Sequence, residues 1–244
     1  MAELVFVHGA GDSAAIWDKQ IERLGAAHDA LALDLPGHGQ RLNEAAFYDH
    51  EQNGVEVLRQ VQQRGFGRPV LIGHSMGGAV VLSAVLSKPA IPRAVVLVAS
   101  GARLRMPPNL VEAARQKAER VPPGQVGGSL VPLDVAVSAS VSPETRAWLE
   151  ARVGQSTAQA TYADFLANDR FDLLVRLAEV TLPALVLAGE DDQMTPPKFQ
   201  SFLAERLGNA RLTLLPDAGH YVHVEQAPAF NQQLEQFLSG LAET

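Results

Sequence analysis

Pro69-Val70-Leu71-Ile72-Gly73-His74-Ser75-Met76-Gly77-Gly78-Ala79-Val80-Val81-Leu82-Ser83-Ala84-Val85-Leu86 is the stretch from which the rest of the chain can be read. Its apolar lead, 69–72, has the length of a buried strand, and its apolar tail, 79–86, has the length of a buried helix. Between them lies Gly73-His74-Ser75-Met76-Gly77-Gly78. A strand that passes into a helix through so few residues needs a sharp turn, and the residue at its apex takes strained backbone angles. Glycine on either side lets strand and helix approach without a side chain between them. The turn pushes the Ser75 hydroxyl out of the sheet, beside the unpaired N–H groups and positive dipole end of the following helix. A Gly-x-Ser-x-Gly pattern arises by chance on the order of 0.1 times in a chain of this composition, so the pattern alone does not decide against an ordinary turn.

The chain has 244 residues, enough for one sizeable core. Apolar residues make up 47%, an ordinary globular level. The net charge of -7, with both signs scattered, disfavours nucleic acid and anionic membranes as partners. Cysteine is absent, which excludes disulfides, thiolate metal sites and cysteine nucleophiles. The first residues, Met1 to Val7, show no basic region and no cleavage site, and no apolar run reaches membrane-spanning length. The expectation is a cytoplasmic protein, with its oligomeric state left open.

Leu4-Val5-Phe6-Val7 reads as a strand that ends at His8-Gly9-Ala10-Gly11. Asp12 or Ser13 is placed to cap a helix carrying Ile16, Trp17, Ile21 and Leu24, with Trp17 packed in the core. Ala30 to Leu35 is a second strand, stopped by Pro36-Gly37-His38-Gly39, and Val55, Leu58 and Val61 mark a helix that ends near Gly65. The strand before Ser75 and its helix come next, then the strand Ala94 to Val98. From Arg103 to about Val180 the alternation stops. Prolines 107, 108, 122, 123, 132 and 143 punctuate helical patterns at 110–120, 143–153 and 162–177. Strands resume at Pro183 to Ala188 and Arg211 to Leu215, separated by a helix with Phe199, Phe202, Leu203 and Leu207, and a last helix carries Phe230, Leu234, Phe237 and Leu238. Six strands alternating with helices, several of them continuously apolar, predict an α/β fold with a parallel sheet covered on both faces. The expected organisation is a core of residues 1–101 and 181–244, interrupted by a helical insertion at 102–180.

A serine hydroxyl becomes a competent nucleophile when a base removes its proton, and the base needs a group to orient it. Asp191 and Asp192 follow one strand and His220 follows the last, at the strand ends where open α/β sheets build their sites. His223 is a second candidate base. His8, His38 and His74 read as structural or supporting residues, and His28 and His50 as surface residues. No His-x-x-x-His spacing lies on a helix, so no metal site is expected.

Taken together, these segments resemble the α/β-hydrolase family along essentially the whole chain, in its branch of serine carboxylesterases and monoacylglycerol lipases with Gly-His-Ser-Met-Gly-Gly. The resemblance implies a mostly parallel sheet of about six strands with helices on both faces and a helical cap. It implies Ser75 as nucleophile and His220, in Gly219-His220 with Glu225 and Pro228 downstream, as base. Gly189, Asp192 and Pro196 fit the family's Gly-x-x-Asp-x-x-x-Pro frame, so Asp192 rather than Asp191 is the implied acid. The His8-Gly9 segment implies an oxyanion hole from the backbone N–H groups of Ala10 and Met76. Asp34-Leu35-Pro36-Gly37-His38-Gly39 matches the family's second-strand turn. Two departures are that this chain opens directly on the His-Gly strand, where relatives carry a strand pair before it, and that Gln40 stands where many relatives have serine. The implied activity is hydrolysis of carboxylic esters with small to medium apolar acyl groups, without a cofactor. A carbon–carbon bond hydrolase, a cofactor-free haloperoxidase or a lyase of the same fold are the alternatives, and a ligand receptor on a hydrolase scaffold is an alternative of another class. Serine at the elbow argues against haloalkane dehalogenase or epoxide hydrolase chemistry, which uses aspartate there.

Overall fold

The computed structural model describes residues 1–242. Six strands form one all-parallel sheet in the order β2-β1-β3-β4-β5-β6. They are β1 (Glu3–Val7), β2 (Asp29–Leu33), β3 (Val70–His74), β4 (Ala94–Val98), β5 (Ala184–Gly189) and β6 (Ala210–Leu215). Successive residues of a strand point to opposite faces, and both faces are apolar. Val5, Leu71, Val95 and Val186 pack with α2 (His50–Arg64), α3 (Met76–Ser87) and α8 (Pro197–Arg206). Leu4, Phe6, Ile72, Val96 and Leu187 pack with α1 (Asp18–Leu24) and α10 (Ala227–Ala242), where Trp17 and Phe230 are fully buried. Burial on both faces is why the inner strands β1, β3, β4 and β5 read as unbroken apolar runs, while the edge strands β2 and β6 are mostly half-buried.

The sheet order reverses at β1, whose neighbours β2 and β3 lie on opposite sides. A crevice opens at such a switch point, above the carboxyl ends of the strands. The loops that follow β1 and β3 therefore meet there, and they carry Ala10 and Ser75. Between β4 and β5 the chain makes no strand. It forms α4 (Pro108–Arg120), the one-turn α5 (Leu133–Ala136), α6 (Pro143–Glu150) and α7 (Ala158–Arg170). The short α9 (Val222–Glu225) follows the loop after β6.

Four local expectations differ from the structure. Neither Asp12 nor Ser13 caps the first helix: Ser13 makes no side-chain cap bond, and the Ala14 N–H goes to Asp34 Oδ1 at 2.7 Å. Strand β2 stops at Leu33 because Leu35 N–H leaves the ladder for His8 Nε2 at 3.2 Å. In α2 the core stripe is Gly54, Val57, Leu58 and Val61, while Val55 is exposed, since a strict three-residue step drifts off a 3.6-residue helix. The helix expected at 162–177 instead begins after Thr157, whose side chain accepts from Ala160 N–H at 3.0 Å, and ends at Arg170. Phe171 then turns inward and packs its ring edge-on to His50, so burial overrides the local helical pattern.

Candidate active site

Ser75 sits at the apex of the turn from β3 to α3, with φ 52° and ψ −116°. Such angles are strained for a residue with a side chain, and the surroundings hold them in place. Ser75 N–H donates to Val98 O at 2.8 Å. Its carbonyl accepts from Ser100 Oγ at 2.7 Å and Gly78 N–H at 3.0 Å. The flanking glycines are required by close approach. A Cβ at Gly73 would lie 2.2 Å from Gly77 O, and one at Gly77 would lie 2.3 Å from Val7 O. Met76, fully buried, begins α3 directly after the serine.

Ser75 and His220 line one cavity of about 80 Å³ at the switch point, together with Gly9 and Ala10 from the loop after β1. Met106, Leu130, Val131 and Phe165 supply its apolar wall from the insertion. Leu104, in the same segment, is buried in the core cluster instead. No hydrogen bond joins Ser75 Oγ to His220 among the described residues. Such contacts are often long in unliganded enzymes and tighten when substrate binds.

His220 Nδ1 lies 2.9 Å from Asp192 Oδ2. That carboxylate also accepts from Met194 N–H at 2.8 Å, Thr195 N–H at 2.9 Å and Thr195 Oγ at 2.7 Å. Nδ1 must therefore carry a proton, and Nε2 is the nitrogen left for the cavity. Burial opposes charge on both groups, but their mutual attraction wins: the His220 pKa is raised above 6.5 and that of Asp192 is lowered. Asp191 points elsewhere and accepts from Ser138 Oγ at 2.6 Å. The His223 ring stacks on Trp17 at 4.2 Å, and neither of its nitrogens has a hydrogen-bond partner.

Further residues support the Asp192–His220 pair: His74 and Glu225, both named in the sequence reading, and Thr195, which that reading did not single out. His74 Nε2 donates to the His220 carbonyl at 3.0 Å, which ties the histidine loop to the serine turn. Glu225 accepts from Gly219 and Tyr221 N–H at 3.0 and 3.1 Å and from Ser138 N–H of the insertion at 2.7 Å. Thr195, three residues after Asp192, follows the pattern of a side chain closing a local turn, which sequence alone can suggest. Asp12 lines the cavity, accepting from Tyr221 OH at 3.1 Å and Gly154 N–H at 3.3 Å, and burial pushes its pKa up to about 7. His50 is not a surface residue. It is buried, and its Nε2 donates at 2.9 Å to Oδ1 of Asn168, a residue that lines the cavity. Among the described residues no group of three or more His, Asp or Glu side chains is arranged to hold a metal ion, and no helix is long and apolar enough to cross a membrane.

Residues 4–233 match the alpha/beta hydrolase family. The chain belongs to that family. It is 31% identical over 245 residues to a dihydrolipoyllysine-residue acetyltransferase component of an acetoin cleaving system from Pseudomonas putida, covering 96% of this chain and 63% of that protein. This hydrolase-family chain thus spans under two thirds of that relative's length. It is 26% identical over 262 residues to a pimeloyl-[acyl-carrier protein] methyl ester esterase from Neisseria meningitidis, covering 98% of this chain and 94% of the other. Among solved structures, an esterase from Thermogutta terrifontis superimposes with a TM-score of 0.88 at 23% identity, covering 99% of this chain and 90% of that one. That last likeness concerns the fold.

Proposed function

We propose that this α/β hydrolase cleaves carboxylic esters through a serine acyl-enzyme. The observation that carries the reading is the Asp192–His220 pair, oriented at 2.9 Å, in the cavity that Ser75 enters from a strained turn. In this reading Ser75 Oγ gives its proton to His220 Nε2 and attacks the ester carbonyl carbon. The carbonyl oxygen takes up the electron pair, and the N–H groups of Ala10 and Met76 hold it. The intermediate collapses, the carbon–oxygen bond to the alcohol breaks, and His220 returns the proton to the departing oxygen. Water, deprotonated by the same imidazole, then releases the acid and frees Ser75. Asp192 keeps Nδ1 protonated and stabilises the imidazolium. Residues 102–180 act as a lid over a core of 1–101 and 181–244. The apolar wall and the narrow cavity favour small to medium acyl groups. The similarity to a methyl ester esterase points the same way.

The test is a series of p-nitrophenyl esters from acetate to palmitate beside labelling with a fluorophosphonate. The expected result is a burst, labelling at Ser75, turnover highest for the shorter esters, and loss of all three in Ser75→Ala. Turnover of a vinylogous diketone with no ester hydrolysed would move the reading to carbon–carbon bond cleavage. Tight retention of a ligand with no turnover would make the protein a receptor.

A further inference from the structure

Asp164 lies on α7 of the insertion and is buried, yet it touches the loop after β1. Its Oδ2 accepts from Gly11 N–H at 2.9 Å, next to Ala10. The same oxygen lies 2.9 Å from His38 Nε2. His38 Nδ1 faces Pro36 O at 3.0 Å. A peptide carbonyl only accepts, and an ionised carboxylate only accepts, so both bonds are complete only if both ring nitrogens carry protons. The neighbouring ring is compatible with that charge. His8 lies 4.7 Å away, ring to ring, but its Nε2 accepts from Leu35 N–H while Nδ1 donates to Gly9 O at 2.8 Å, so it is neutral. Burial, with His38 beside it, lowers its pKa to about 4.

The backbone around this pair is also docked. Gly39 N–H donates to Gln155 O at 2.8 Å and Thr157 N–H to Gly37 O at 2.9 Å. A Cβ at Gly37 would lie 2.7 Å from the Ala160 Cβ on α7. On the loop's far side Asp12 accepts from Gly154 N–H of the insertion. The loop that carries Ala10 is therefore held from the insertion by two carboxylates, one given and one received.

We propose that His38, as a doubly protonated imidazolium, and Asp164 are positioning residues that clasp Gly11 to α7 and so aim the Ala10 N–H at the oxyanion. This rests on the proposed role of Ala10 in ester hydrolysis. It makes the insertion part of the catalytic geometry as well as a cover. A misplacement of about 1 Å can cost about 100-fold in rate. The charged groups around His38 are Asp164 from α7, Asp34 at the end of β2 and Asp12 in the loop after β1, with neutral His8 at the end of β1. Burial opposes the charge on His38, and the Asp164 carboxylate outweighs it, so its pKa stands above 6.5.

The experiment is ¹⁵N NMR of the histidine rings in the full wild-type chain, beside kinetics of p-nitrophenyl acetate for wild type, Asp164→Asn and His38→Gln. At pH 7 both His38 nitrogens should be protonated. Asp164→Asn should lower kcat about 10- to 100-fold and leave KM within about 3-fold, because the loss falls on the transition state. Wild-type kcat should fall on the alkaline side at the pH where the His38 signal titrates, and that limb should move to lower pH in Asp164→Asn. His38→Gln, whose amide still donates to Asp164, should lose less than Asp164→Asn and lose the alkaline limb. One unprotonated nitrogen on His38 at pH 7 would overturn the clasp, as would an unchanged kcat in folded Asp164→Asn. If Asp164→Asn does not fold, the wild-type rings and His38→Gln decide. A wild type that neither labels with fluorophosphonate nor turns over ester instead defeats the ester reading, and does so without reference to either variant.

Discussion

At the scale of the residue, the site turns on where protons rest. In the proposed reaction His220 serves as the base only when neutral, and the Asp192 carboxylate favours its charged form, against burial. The group whose pKa is raised must lose its proton before the serine can be activated, so kcat/KM should rise with pH through a midpoint above 6.5. Asp192→Asn should remove the orientation of Nδ1 and cost about 10⁴ in kcat. Asp12 adds a second negative charge near His220 once it ionises, and burial holds it half protonated at about pH 7. Asp12→Asn removes that charge, so the rising limb should shift to lower pH, while Tyr221 OH keeps an amide oxygen to donate to. A pH–rate profile of the two variants beside wild type checks both outcomes, and an unmoved limb in Asp12→Asn would show that the carboxyl is not felt at the imidazole.

At the scale of the element, the site is an arrangement of strand ends, and that much can be read from local sequence. Short apolar runs locate β1, β3, β4 and β5, because burial on both faces leaves an unbroken apolar signature, whereas the edge strand β6 carries Arg211 and Thr213 and is mostly half-buried. The segments holding Ser75, Asp192 and His220 announce themselves by spacing within a few residues. The contacts between distant segments do not. Asp12 sits where a helix cap is expected, and its real partners, Gly154 and Tyr221, lie far along the chain. His50 begins a surface helix by its local pattern, yet packs against the insertion through Asn168. Helix α7 shows both sides: Thr157 is a legible cap that the apolar pattern at 162–177 obscured, whereas its end at Arg170 is set by Phe171 entering the core. Thr157 also ties α7 to Gly37 O through its backbone. Thr157→Ala should therefore cost about 1 kcal/mol of stability from the lost cap. Hydrogen exchange should place the added opening in the first turn of α7, with the strands unchanged. Uniform loss of protection over the whole chain would show that the insertion does not loosen by itself.

At the scale of the whole molecule, the histidines make stability a function of pH in two directions. Burial keeps His223 and His74 well below 6.5, lowers His8 to about 4 and lowers His50, so the folded state refuses protons there that the unfolded chain accepts. Below pH 6.5 unfolding takes up those protons, and stability falls as the pH drops. Asp12 and Glu225 act in the opposite sense, since burial raises both and the folded state keeps their protons longer. Two carboxyls oppose four histidines, so the acid side still loses stability. Above pH 6.5 the raised His38 and His220 dominate: the folded state holds protons that the unfolded chain has lost, and stability falls as pH rises through their folded values. Urea midpoints should therefore peak close to about pH 6.5. His223 isolates one contribution, because it faces no carboxylate and both its ring nitrogens lack partners. His223→Phe keeps the stack on Trp17 and removes one proton from the linkage. The slope of unfolding free energy against pH below 6.5 should then fall by about 1.4 kcal/mol per pH unit. The slope is the right readout, since any packing strain from the larger ring displaces the whole curve equally. A variant with the wild-type slope would mean that His223 titrates alike in the folded and unfolded chain, and that a partner such as buried water meets its ring in solution.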